Sequence, residues 1–181
     1  IPGVSTISTS SSVPGQPLPD WGVIVNGETL PNVFMSWVDP DFAETLDLDI
    51  VDGRFFSQDI ASDTLNAFVV NEAFLREAKL EEPFEAQVRF TYSSDDGYNK
   101  IVGVVKDFHF RGLDRSIGPM IMMYQPNYQV TSIKVSTENL DGTLKAIENL
   151  WGKVEPDHPF RYSFLDDDFA EQYAEQERFG D

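Results

Sequence analysis

AFVVNEAFLREAKL, residues 67–80, changes character halfway along. Its first four residues form a short apolar run that reads as a strand. Asn71 then stands where a helix N-cap belongs, and Phe74, Leu75 and Ala78 cluster on one side of the helix that follows. A strand that hands over directly to a helix points to a mixed α and β protein.

The neighbouring stretches extend that reading. AQVRFTY (86–92) alternates, with Ala86, Val88, Phe90 and Tyr92 on one face and Gln87, Arg89 and Thr91 on the other. Asp95-Asp96-Gly97 marks a turn, and KIVGVVKDF (100–108) is the returning strand of an antiparallel pair with one wet face. Upstream, LDIVDGRFF (48–56) reads as a strand with Asp52-Gly53 as a turn. DPDFAETL (39–46) starts a helix, with Asp39 as cap, Pro40 at the first helical position, and Phe42 and Leu46 sharing a face. WGVIVNGETLPNVFMSWV (21–38) is a hairpin that turns at Asn26-Gly27. The opening VSTISTSSSVPGQPLPDWG allows two readings: a flexible linker, or a strand followed by a long surface loop.

Beyond Pro119, MIMMY and TSIKVST read as strands, and Asp141 caps a helix over GTLKAIENLWGKV. Leu144, Ile147, Leu150, Trp151 and Val154 form an apolar stripe at helical spacing. FRYSFL (160–165) is a further strand, and DDDFAEQYAEQERF (166–179) a last helix, acidic at its N-terminus as the macrodipole favours. Strand, helix and strand in this order suggest a βαβ-like unit.

Composition limits the function classes. A chain of 181 residues, 41% hydrophobic and 24% charged, supports one domain or two intimately packed subdomains. Thirteen Lys plus Arg against 31 Asp plus Glu give a net charge of −18, which repels phosphate backbones and anionic head groups and speaks against nucleic acid as a partner. With no cysteine there is no disulfide, thiolate nucleophile or sulfur-built zinc site. No apolar run approaches the roughly 18 residues of a membrane helix.

Four stretches invite chemistry. Asp107 and His109 could supply two metal ligands, but without cysteine a third must be His158 or a carboxylate, and EPDHPF around His158 has no ligand spacing. Period-two spacing puts Phe108 and Phe110 on the opposite face, so a strand end anchored by two phenylalanines is the stronger reading. Asp166-Asp167-Asp168 carries oxygen ligands for a hard cation but lacks the spaced loop with its central glycine, and reads as a helix cap. Ser10 to Ser12 lie in no nucleophile motif, and Gly97, Gly103 and Gly112 match no phosphate-binding fingerprint. The residues therefore give no specific support to an enzyme, and none to a metal or a cofactor.

IVDGRFFSQD, FVVNEAFLREA, IVGVVKDFHFRGLDRSIGP and FLDDDFAEQYAEQERFG occur in one order. Together they resemble the extracytoplasmic domain of FtsX-like permeases, the MacB-like periplasmic core domain of ABC transporters, in its Bacteroidetes-type version. The resemblance covers most of the chain. It implies an α+β fold with a porter-like βαβ subdomain, residues 1–36 and 119–181, and an inserted mixed α/β Sabre-like subdomain, residues 37–118. It implies that the porter-like part lacks its earlier strand and helix here, and that the last helix leads towards a membrane helix.

The matching positions are Asp52, Gly53, Arg54, Phe55, Phe56, Asn71, Glu72, Gly103, Asp107, Phe108, His109, Phe110, Leu113 and Pro119. The resemblance gives them a structural role, with Phe108 and Phe110 as core anchors and Gly112, Gly118 and Pro119 shaping the following loop. It implies a non-catalytic module whose partners are the membrane-embedded remainder of the permease, a cytoplasmic ATPase subunit and a periplasmic partner protein. It places the whole protein in the inner membrane and this domain, monomeric when isolated, in the periplasm. Two alternatives come from the residues alone. One is a secreted ligand- or glycan-binding domain stacking sugars on Trp21, Trp37 and Tyr98; the other is a metal-dependent hydrolase using Asp107 and His109.

Overall fold

A computed structural model describes residues 1–92, 97–111 and 115–170. Its centre is a seven-stranded mixed sheet. The strands are β2 (Asp20–Val25), β3 (Glu28–Trp37), β4 (Ile50–Gly53), β5 (Ala67–Asn71), β6 (Gln87–Phe90), β7 (Asn99–Val105) and β8 (Met120–Met123), in the order β4-β7-β5-β8-β3-β2-β6. β3 runs parallel to β8 and β5 parallel to β7; the remaining pairs are antiparallel.

β7 makes this sheet a barrel. One of its edges pairs with β5, while the other is divided: Asn99 and Lys100 pair with β6, and Gly103 to Val105 pair with β4. The ring β7-β5-β8-β3-β2-β6 is thereby closed, with β4 attached outside it. The returning strand expected to have one wet face is covered on both over its second half: Ile101 and Val104 enter one core, and Val102 and Val105 the other, across a register shift opposite Phe68 and Val69.

Those two cores follow from the strand period of two. Val23, Val33, Met35, Phe68, Val70 and Ile121 belong to the cluster within the ring, which Phe74 of helix α3 (Glu72–Ala78) completes. Val69, Met120 and Met122 belong to the second cluster, beneath Phe42 and Ala43 of helix α1 (Phe42–Thr45) and Phe55, Phe56 and Phe110. β5 and β8 are buried along their whole length, which is why their sequences are continuous apolar runs. Truncating a buried phenylalanine such as Phe74 to alanine costs about 3–5 kcal/mol in cores of this kind.

Asn26 and Gly27 both have positive φ, +50° and +90°, the type I′ geometry that suits a two-residue hairpin. The Asn71 side chain accepts from Phe74 N at 3.1 Å, the cap read from the sequence. Asp39 does two things. Helix α1 starts after Asp41; the Asp39 carboxylate accepts from Asp41 N at 3.2 Å, two residues on, and also from Ser8 Oγ (2.7 Å), Thr9 N (2.6 Å) and Thr9 Oγ1 (2.9 Å) on strand β1 (Val4–Ser10).

β1 pairs antiparallel with β9 (Val130–Val135) in a separate two-stranded ribbon. Of the two readings of the N-terminal stretch, the strand with a long loop is the observed one. The loop is held by Ser11 N to Trp37 O (2.8 Å) and Gly15 N to Phe110 O (3.0 Å). Helix α4 (Leu140–Val154) follows β9, with Asp141 in its first turn and Asn139 in the cap position. Thr143 ties it to the start of β1 by donating to Pro2 O at 3.1 Å. Further along, its expected apolar stripe lies open: Leu150 is 50% and Val154 67% exposed.

Residues 160–164 are in no strand, because neither β1 nor β9 pairs with them. The rings of alternate residues still stand together, Phe160 on Tyr162 at 5.4 Å and Tyr162 on Phe164 at 5.6 Å. Residues 165–170 are helical; the rest of the expected last helix lies outside the described residues, as do Asp95 and Asp96.

The borders expected at 36/37 and 118/119 fall within the hydrogen-bonded sheet. β2, β3 and β8, from outside the expected insert, pair with β5, β6 and each other. The strand ladders divide differently, with β1 and β9 in a sheet of their own that a bridge from Ser10 to Val38 and the Asp39 bonds to Ser8 and Thr9 join to the barrel side.

Candidate functional site

The sequence positions singled out above gather in two brackets. The first surrounds the start of α3. Asn71, fully buried, accepts from Met120 N at 2.9 Å as well as from Phe74 N, and donates from Nδ2 to Gly118 O at 2.9 Å. One side chain thus joins the end of β5, the first turn of α3 and the entry to β8. Asp107 closes the bracket from two residues beyond β7: its Oδ1 accepts from Ala73 N (2.8 Å) and its Oδ2 from Arg76 Nη2 (2.6 Å). Glu72 returns the interaction by accepting from Asp107 N at 3.0 Å.

This geometry bears on the metal reading. Both carboxylate oxygens of Asp107 are engaged by N–H donors, so its charge is already met by Arg76 and the Ala73 amide. Strand β7 ends at Val105, so period-two geometry does not extend to His109. The Nδ1 of His109 is buried without a hydrogen-bond partner. His158 is exposed near the far end of the chain, 3.2 Å from Glu155. Among the described residues no three His, Cys, Asp or Glu side chains are grouped for a metal ion. Asp166, Asp167 and Asp168 lie in the first turn of the helical residues 165–170, and Asp168 accepts from Ser163 Oγ at 2.7 Å.

The second bracket fixes β4 and the segment after it. Gly53, at φ +67°, turns the chain off β4, and its amide donates to Asp52 Oδ1. Gly103 then lets the chain pass at close range: a Cβ there would stand 1.9 Å from the carbonyl oxygen of Arg54. The Arg54 guanidinium donates to both oxygens of Asp63, at 2.6 and 2.7 Å, and to Phe55 O at 3.0 Å. Asp63, whose side chain is fully buried, also accepts from Ser57 N at 2.9 Å. The Arg54 hydrogen bonds hold the Asp63 carboxyl below the usual range, outweighing the opposing effect of burial. Phe55 and Phe56 pack edge-on at 5.0 Å beneath this pair.

Phe108 and Phe110 meet at 5.7 Å, and buried Phe110 reaches Phe34 at 5.4 Å. Pro119 is buried, and its carbonyl accepts from Phe34 N at 2.9 Å. Leu113 and Gly112 lie outside the described residues.

Trp21 and Trp37 come together, ring centroids 5.8 Å apart, at one end of the barrel, while Tyr98 is exposed beside β7. Sequence reading did not find the Arg54–Asp63 pair. Nothing distinguishes Asp63 among 31 acidic residues until the fold buries it.

No protein-family model and no curated protein matches the chain. Solved structures do. The crystal structure of the periplasmic region of MacB from Actinobacillus actinomycetemcomitans superposes with a TM-score of 0.66 at 14% identity, over 97% of this chain and 78% of that one. The chain has the MacB periplasmic fold. A domain assigned to a permease protein of Porphyromonas gingivalis follows with a TM-score of 0.63, 16% identity and coverage of 91% and 82%. The extracellular domain of the noncanonic ABC-type transporter YknZ from Gram-positive bacteria gives 0.60, 13%, and 86% and 78%. The MacB-like, mixed α+β fold expected from the four sequence stretches is thus observed.

Proposed function

We propose that this chain is the extracytoplasmic domain of an ABC transporter permease, a non-catalytic module that passes ATP-driven motion to an exported substrate or a partner. The observation that carries the reading is likeness to the MacB periplasmic region along 97% of the chain. Both brackets support it. Their polar side chains are spent on holding strands and a helix in place, as a module that transmits force requires. No helix of the described residues is long and apolar enough to cross a membrane, so the reading needs membrane segments elsewhere in the whole protein.

On this reading the partners are the membrane-embedded remainder of the permease, a cytoplasmic ATPase subunit and a periplasmic partner protein. The whole protein sits in the inner membrane with this domain in the periplasm. The division into subdomains is then a β1–β9–α4 porter-like part and a barrel. The open stripe of α4 and the unpaired residues 160–164 support completion of the porter-like part by further chain.

The test is to purify the product of the whole gene from membranes and assay it for ATPase activity. The expected result is a membrane complex that co-purifies with an ATPase subunit, whose hydrolysis changes when this domain is cross-linked internally. Recovery of the product as a free secreted protein, with no ATPase bound, overturns the proposal.

A further inference from the structure

The barrel is sealed at one end and open at the other. At the sealed end Phe74 of α3 is fully buried in the inner core, with Leu75 and Ala78 packed beside it. At the open end β3, β6 and β8 finish while β2, β5 and β7 begin. A small cleft of about 80 Å³ opens there between Trp37, Phe68, Phe90, Tyr92, Asn99 and Gln125. Barrel mouths of this kind are a common place for ligands.

Aromatic rings dominate the rim. Trp21 meets Trp37, Phe90 and Tyr92 edge-on at 5.8, 6.4 and 5.7 Å, and Phe90 stacks on Tyr92 at 5.2 Å and 11°. These rings are only partly spent on the core: Tyr92 is 64% and Trp21 37% exposed. Two acceptors accompany them. Asn99 Nδ2 donates to Val88 O at 3.3 Å, which leaves its Oδ1 available, and the exposed Gln125 side chain makes no bond to the described residues.

Charge selects the occupant. The chain carries −18, and exposed Asp20 precedes Trp21 at the rim with no ion pair among the described residues. Arg54, behind the cleft wall, is neutralised by Asp63. Arg89 and Lys100 neighbour Phe90 and Asn99, but strand alternation sends them to the opposite face. Ring faces in a negative field attract a cation and repel an anion.

We propose that the barrel mouth receives an arginine or lysine side chain carried on a basic segment of a partner protein. The cationic head stacks over the rim rings and donates to Asn99 Oδ1 and Gln125 Oε1. This stands apart from the permease reading, since the mouth binds whether or not the chain belongs to a transporter.

The indole N–H signals of Trp21, Trp37 and Trp151 in a ¹H–¹⁵N spectrum of this chain test it, with Trp151 as an internal control. The probes are acetyl-Gly-Arg-Gly-amide, its Lys, Glu and Phe counterparts, and maltotriose. Saturable shifts of Trp21 and Trp37 with the Arg and Lys peptides are expected, weakening severalfold from low to high salt. Tyr92→Ala should weaken binding about tenfold. Asp20→Asn should weaken it less while leaving every ring in place, so that a loss is not mistaken for misfolding. Shifts with maltotriose or the Phe peptide but not with Arg overturn the proposal, as does the absence of any shift at Trp21 and Trp37.

Discussion

Arg54 grips both carboxylate oxygens of Asp63, nine residues downstream, and in doing so fixes the path between β4 and β5. The pair is asymmetric: the Asp63 side chain is wholly buried while 40% of the Arg54 side chain reaches solvent. Arg54→Met therefore leaves a buried carboxylate without its cation, whereas Asp63→Asn leaves a cation that can turn outward. The first should cost about 3 kcal/mol, the lower end for a broken buried pair, and the second clearly less. Urea denaturation of both variants at neutral pH checks the order.

The same pair fixes an acid limb. Asp63 has a folded pKa below its unfolded value, so its contribution is fully present above about pH 4 and is lost as pH falls through the depressed folded value. Stability measured from pH 6 down to pH 2 should fall less steeply for Asp63→Asn than for the parent chain.

Asn71→Ala removes three hydrogen bonds and strands Phe74 N, Met120 N and Gly118 O in a buried place. Each orphaned group costs about 1–3 kcal/mol, so the variant should lose at least about 3 kcal/mol. Amide exchange gives the local signature: protection should fall first at Phe74 and Met120.

Gly103→Ala inserts a methyl where the Arg54 carbonyl lies. Since the obstacle is backbone, the two strands must separate. A loss of about 1–3 kcal/mol is expected, with faster exchange across the β4–β7 ladder and an unchanged β5–β8 ladder.

Tyr128 is held protonated up to about 12, chiefly by burial and then by Tyr124 and Asp39. The unfolded chain releases this proton near pH 10, so stability falls as pH rises from about 10 to 12. Absorbance of tyrosinate should show a late-titrating group that Tyr128→Phe deletes.

What could be read from the sequence was local. Asn26-Gly27 and Asn71 announced a turn and a cap because each acts on backbone within a few residues. The antiparallel pairing of β6 with β7 was read from the alternating stretches around Asp95-Asp96-Gly97 and is observed at Gln87–Lys100 and Val88–Asn99. That this pair closes a barrel was not readable, because no periodicity encodes where the other edges of the two strands go. Asp39 was read only in part: its carboxylate accepts from the nearby Asp41 amide, and its second role, as acceptor for Ser8 and Thr9, depends on the approach of β1. The α4 stripe was correctly placed on one face, but spacing reports which side chains align and not what covers them. At the barrel mouth two tryptophans were visible from the start, whereas Phe90, Asn99 and Gln125 join them only through the sheet.

The divided edge of β7 also governs how safely this protein can be crowded. Ring closure leaves the barrel almost no unpaired backbone, and β4, hung on the second half of β7, carries the outward-facing edge. That edge shows exposed Ile50 and Val51, a combination that invites a foreign strand to add on. It is flanked by Asp49 and Asp52, so two copies approaching edge to edge would bring carboxylates together. Within the barrel sheet the edge hazard thus falls on one four-residue strand, with a carboxylate on either side of Ile50 and Val51.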